Sequence, residues 1–149
     1  MSFHEKRSIL SIISNTLVFV IYAFIVYNRY QGMNFSQESQ VFYFWAKAFL
    51  ILIPITIVTH IVIYIIFHII NSIANKETDP EITDERDKLI ELKSLRISHY
   101  VFILGFVLAM VSQVIKMPPT AMFVTLFISG FISSVVSEIA QFIYYRKGV

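Results

Sequence analysis

Chemistry in this chain has to come from a few polar side chains set in apolar sequence. Thr56, His60, Tyr64 and His68 recur every fourth residue, which lines them up as one stripe along a helix. The stripe offers two roles. Its imidazoles could relay protons or sense pH, or a neutral imidazole could hydrogen-bond a neighbouring helix. A shared metal is not expected, because residues eight apart are separated by ~12 Å along a helix axis. Glu138 is the second candidate. Counted from the turn Lys116-Met117-Pro118-Pro119, it lies level with about Ile97 to His99. There it is expected to pair with His99 or Arg96, the alternative being a translocation carboxylate. Asn15, Gln113 and Gln141 are further candidates for hydrogen bonds between helices.

Small residues at spacing four form a third pattern. Gly105 and Ala109 on one segment face either Gly130, Ser134 and Glu138 or Ser129, Ser133 and Ser137 on another. Such stripes let helix backbones approach closely and are read here as packing faces.

Several chemistries are excluded. The chain has no cysteine, so it has neither thiolate nucleophile nor thiolate metal site. It also lacks a phosphate-binding glycine loop and an HExxH pair. No serine shares a depth with a base and an orienting acid. We therefore expect a non-enzymatic protein without a cofactor. Outside the apolar segments no basic patch is interleaved with aromatics, so direct nucleic-acid binding is not expected.

The elements that position these residues are membrane spans. In 149 residues the hydrophobic content is 56% and the mean hydropathy is +0.69, which is too apolar for a soluble globule. At ~1.5 Å per residue, a ~30 Å hydrocarbon core is crossed by each of four runs, at about 8–28, 41–71, 97–115 and 120–145. The expected fold is all-α, a polytopic four-helix domain made of two hairpins. Tyr22, Tyr27 and Tyr30, then Phe42, Tyr43, Phe44 and Trp45, read as interfacial belts. Lys47 reads as a snorkelling residue, and Pro54 should kink the second span.

Orientation follows from the basic residues. Lys6, Arg7, Lys76, Arg86, Lys88, Lys93, Arg96, Arg146 and Lys147 fall on one side, and only Arg29, Lys47 and Lys116 on the other. The positive-inside rule puts both termini and the 72–96 connector in the cytoplasm of a multi-pass cell-membrane protein. A helix is expected to start at Asp79-Pro80-Glu81 or at Thr83 and to run unbroken into span three. Asp84 and Lys88 form a favourable i,i+4 pair, while Leu89, Leu92, Leu95 and the stem of Arg96 form its apolar face.

Asp84-Glu85-Arg86-Asp87, followed by Ile90, Lys93, Arg96-Ile97-Ser98 and Tyr100, resembles the cytoplasmic DER-type loop motif of small uncharacterised prokaryotic four-span integral membrane proteins. Some of these are encoded beside helix-turn-helix transcription regulators, so the resemblance implies a regulatory partnership at the membrane. The leading expectation is an interaction protein that holds a cytoplasmic regulator or a larger membrane protein through Asp84, Glu85, Arg86, Asp87, Lys88 and Glu91, and that self-associates through its small-residue faces. The rival expectation is a small proton-coupled transporter or channel-like subunit using His60, His68 and Glu138. An immunity or membrane-stress protein is a third.

Overall fold

The computed structural model describes residues 3–75 and 85–147, the side chains of 3–6, 67, 68 and 70–75 lying outside the description. It is all-helical: α1 (Phe3–Gln31), α2 (Glu38–Asn75), α3 (Glu85–Val114) and α4 (Pro119–Lys147). All four are long and apolar enough to cross a membrane. Helices suit that solvent because each satisfies its own backbone hydrogen bonds where water is absent. The fold therefore reads as that of a multi-pass membrane protein. Leu104, Val107, Leu108 and Val114 on α3, and a long run of isoleucines on α2, are exposed in a way that only a lipid environment or a partner would tolerate.

The elements begin and end for local reasons. No glycine or proline interrupts α1, which stops at Gly32. Gln40, in the first turn of α2, accepts the Ser36 N–H at 3.0 Å and so satisfies a backbone donor that the helix leaves free. α2 continues through Pro54. α3 is one unbroken helix of 30 residues, about 45 Å at the helical rise and longer than a hydrocarbon core requires. Both expected starts of this helix, at Asp79 and at Thr83, lie outside the described residues.

The turn from α3 to α4 is a Schellman motif. Met117 N–H bonds the Ser112 carbonyl at 2.9 Å and Lys116 N–H bonds that of Gln113 at 3.0 Å. Lys116 takes the left-handed position, φ 61°, usually given to glycine. Pro119 then opens α4, where a missing N–H costs nothing.

α4 is the shared support. α1, α2 and α3 all pack on it and α1 packs on α2, whereas the α3 backbone is packed against neither α1 nor α2 among the described residues. Towards the Lys116 end, α1, α2 and α4 share an aromatic core of Tyr22, Val26, Trp45, Ala48 and Phe127. Phe19 stacks on Phe131 at 4.0 Å between centroids, and Trp45 lies parallel to Phe123 at 5.9 Å. The Tyr22 hydroxyl donates to the Ala48 carbonyl at 2.6 Å, and Tyr30 shares a hydrogen bond with Thr120 at 2.7 Å. The expected belts thus divide: Tyr27, Phe42 and Tyr43 are exposed, whereas Tyr22 and Trp45 belong to the core.

α3 docks on the opposite side of α4 through small residues. Gly105, Ala109 and Ser112 are buried against a face carrying Ser129, Ser133 and Ala140. A Cβ at Gly105 would overlap the Ser129 side chain. The Ser133 hydroxyl also donates to the Ser98 carbonyl at 2.9 Å. Of the two α4 stripes open on sequence grounds, Ser129 and Ser133 therefore meet α3, and a Cβ at Gly130 would meet nothing within 4 Å.

Two outcomes follow. Gly105→Ala should lower stability in detergent by about 1–3 kcal/mol, with partial recovery when Ser129→Gly is added, both read from thermal unfolding. Lys116→Gly should raise stability by about 1 kcal/mol by removing the left-handed penalty.

Candidate functional site

The first turns of α3 join the bundle where α1 begins and α4 ends. Of the motif residues, Asp84 lies outside the described part. Glu85, Arg86, Lys88 and Glu91 are exposed, and Asp87 is half-buried. Asp87 accepts a hydrogen bond from the Tyr145 hydroxyl of α4, and Arg7 of α1 and Glu91 of α3 are the other charges acting on that hydroxyl. The Arg7 guanidinium in turn lies 5.5 Å from the ring centre of Tyr64 on α2. Lys93 lies 5.8 Å from that of Tyr144. Cation–π contacts of this kind contribute about 0.5–1 kcal/mol each at exposed positions. All four helices therefore supply a side chain to one end of the bundle.

Burial along α3 explains why Asp87 turns inward. Ile90 and Ser94 are 1% and 0% exposed, three and seven residues after Asp87 on the same face. The Ser94 hydroxyl is satisfied by the Ile90 carbonyl at 2.8 Å. Leu89, Leu92 and Leu95, expected to form the helix's apolar face, point the other way and are 56%, 63% and 50% exposed.

One layer further in, Glu138 departs from expectation. It accepts a hydrogen bond from Ser11 of α1 at 2.7 Å and pairs with neither His99 nor Arg96, both of which are exposed. The reason is azimuth. Glu138 shares its side of α4 with Phe127 and Phe131, which face Phe19 of α1, while the side towards α3 carries Ser129, Ser133 and Ala140. Asn15 donates to Ser11 within α1 at 3.4 Å, a long contact. It extends the Glu138 chain and makes no hydrogen bond to another helix among the described residues. Gln113 similarly bonds Ser112 on its own helix, at 3.2 Å.

The polar stripe on α2 does not face the bundle. Trp45, Ala48, Leu52 and Ile55 pack inward, and Thr56, His60 and Tyr64 follow one residue later, rotated by about 100°. His60 is exposed with no bond among the described residues, and Thr56 bonds its own Ile53 carbonyl at 2.8 Å. Tyr64 reaches Arg7, and the His68 side chain lies outside the description. Among the described residues, no three His, Asp or Glu side chains gather closely enough to hold a metal ion.

Ser11 and Tyr145 are not singled out by the sequence, and Arg7 enters there only through the orientation count. The spacing Ser8-Ser11-Asn15, three polar residues at i, i+3 and i+7 inside an apolar span, was the available signal, since it marks a polar face on α1. The chain matches no family, no curated protein and no solved structure.

Tyr145→Phe removes the donor to Asp87. It should loosen the first turns of α3 by about 1 kcal/mol, seen as faster amide hydrogen exchange from Glu85 to Leu92 with α4 unchanged.

Proposed function

We propose that this protein is a non-enzymatic interaction protein of the cell membrane, in which the charged first turns of α3 hold a partner. Its four spans form two hairpins with both termini and the connector in the cytoplasm, so that these turns extend span three beyond the bilayer. The positive-inside count supports this orientation.

One observation carries the reading. Ile90, Ser94 and Asp87 tie the near side of the helix to α4, so Leu89, Leu92 and Leu95 project from its far side. An apolar stripe flanked by Glu85, Lys88 and Arg96 is the pattern by which an amphipathic helix enters a partner's groove. Leucines anchor it and the charges select it. The DER-type resemblance suggests that the partner is a cytoplasmic regulator. A larger membrane protein, or a second copy of the chain packed on the exposed faces of α2 and α3, would fit beside it.

The site also has a route to the rest of the molecule. Load on α3 reaches α4 through Asp87 and Tyr145, and α4 is bonded to α1 through Glu138 and Ser11.

Two sets of variants test the proposal after gentle purification from native membranes. Alanine at Asp84, Glu85 and Arg86, or serine at Leu89 and Leu92, should abolish recovery of the co-purifying partner while insertion and thermal stability persist. Recovery of the same partners by both variants would sink it.

A further inference from the structure

An open groove of about 780 Å³ runs along α3 where that helix meets α4, with Ser133 of α4 at its edge. Its size falls within the ~300–1,000 Å³ of small-molecule sites. Leu92 and Leu95 form the outer rim, Arg96 and His99 the middle, and Phe102 and Ile103 the inner end. These six recur at intervals of three and four and so share one side of the helix. Ser98 and Ser133 share a hydrogen bond at 2.7 Å, which closes the floor between the two helices. Arg96 and His99 are exposed, and neither makes a hydrogen bond or ion pair among the described residues. No carboxylate lines the groove among those residues.

Depth and charge together choose the occupant. Arg96 directly precedes Ile97, where the apolar run of span three begins, so its guanidinium stands at the headgroup layer. Phe102 and Ile103 lie ~9–10 Å further in, beside hydrocarbon. A soluble ligand would leave that inner end uncovered, whereas a lipid spans both levels. A guanidinium takes up a phosphate through two parallel hydrogen bonds, and the His99 imidazole, one turn inward, offers another N–H. Lys93, whose ammonium lies 5.8 Å from the Tyr144 ring centre, adds a second cation one turn outward. Glu138 points to Ser11 on the α1 side of α4 and does not offset them. The field at the groove therefore favours a headgroup with no cation of its own.

We propose that this groove is a binding site for one anionic phospholipid, its phosphodiester held by Arg96 and His99 and an acyl chain lying on Phe102 and Ile103. The site selects against zwitterionic lipids, whose headgroup cation would meet Arg96 and Lys93. It does not rest on the partner proposed above. Leu92 and Leu95 belong both to its rim and to the outward stripe, so Leu89, outside the groove, is the position that separates the two surfaces.

Tryptophan quenching by brominated lipids tests the site. Trp45 is the only tryptophan, and its indole N–H has no hydrogen-bond partner among the described residues, so Trp45→Phe clears the background without breaking a hydrogen bond. In that full chain, in phosphatidylcholine vesicles, Phe102→Trp reports the groove. Leu104→Trp reports the exposed opposite side of α3 at nearly the same depth. Phosphatidylglycerol brominated on its chains should bind at position 102 about fivefold more strongly than brominated phosphatidylcholine, the effect of one basic residue near an anionic surface. At position 104 the two should quench equally. Arg96→Gln should remove the preference while quenching by brominated phosphatidylcholine stays unchanged, which separates loss of the site from loss of insertion. Arg96→Lys should keep most of the preference, and Leu89→Ser should leave it intact. Equal quenching by both lipids at 102, the same preference at 104, or a preference that survives Arg96→Gln overturns the proposal.

Discussion

Because residue 105 has no side chain, α3 lies against Ser129 of α4, and much of the structure depends on that close approach. Once the backbones meet there, the helical repeat sets what every other residue on α3 can touch. Ala109 and Ser112 fall into the same seam in one direction, and Ser98, Ser94 and Ile90 in the other. The seam therefore delivers Asp87 to Tyr145 and turns Leu89, Leu92 and Leu95 outward. A bulky residue at 105 would do more than open a gap, because it would release the register on which both contacts rest.

α4 holds its neighbours by two different kinds of interaction. Towards α1 and α2 it presents Phe123, Phe127 and Phe131, large rings that fill volume and keep the helices apart by their own thickness. Towards α3 it presents serines and an alanine, which admit a backbone. Between these faces on the helical wheel fall Gly130, Ser134, Ser137 and Gln141, all half-exposed. Glu138 lies on the aromatic side, between the azimuths of Phe127 and Phe131, where Ser11 of α1 reaches it.

Depth along the helices was legible to about one turn before any coordinates and azimuth was not. Counting from Pro118 and Pro119 set Glu138 level with Ile97 to His99, whereas the Ser98–Ser133 and Asp87–Tyr145 contacts put it about one turn away, level with Ser94, and its partner is Ser11 on α1. A residue count gives height at ~1.5 Å per step, but which neighbour stands at that height depends on how all four helices pack. The same limit explains α2. Periodicity recognised Thr56, His60, Tyr64 and His68 as one stripe, but polar residues in a span are expected to face inward only on average. Here Trp45, Ala48 and Leu52 took the interior instead, since aromatic burial against Phe123 and Phe127 outweighs one neutral imidazole. Tyr22 and Trp45, read from their type as belt residues, pack into the core for a related reason: their type allows a lipid-facing or an inward place, and only contact decides.

Taken alone, the sequence determined what each segment must do for itself. Four apolar runs of sufficient length had to become helices, because no other open segment satisfies its backbone in hydrocarbon. Two prolines had to end a helix near residue 117, and the absence of cysteine removed a class of chemistry. Tertiary structure alone decided what depends on two segments at once. It chose Ser129 and Ser133 as the face for Gly105, Ser11 as the partner of Glu138, Tyr145 as the anchor of Asp87, and the outward side of α3 for its leucines. These choices turn on the rotation of each helix about its own axis. In a chain apolar on nearly every side, burial contrast is too weak to set that rotation, and close packing sets it instead.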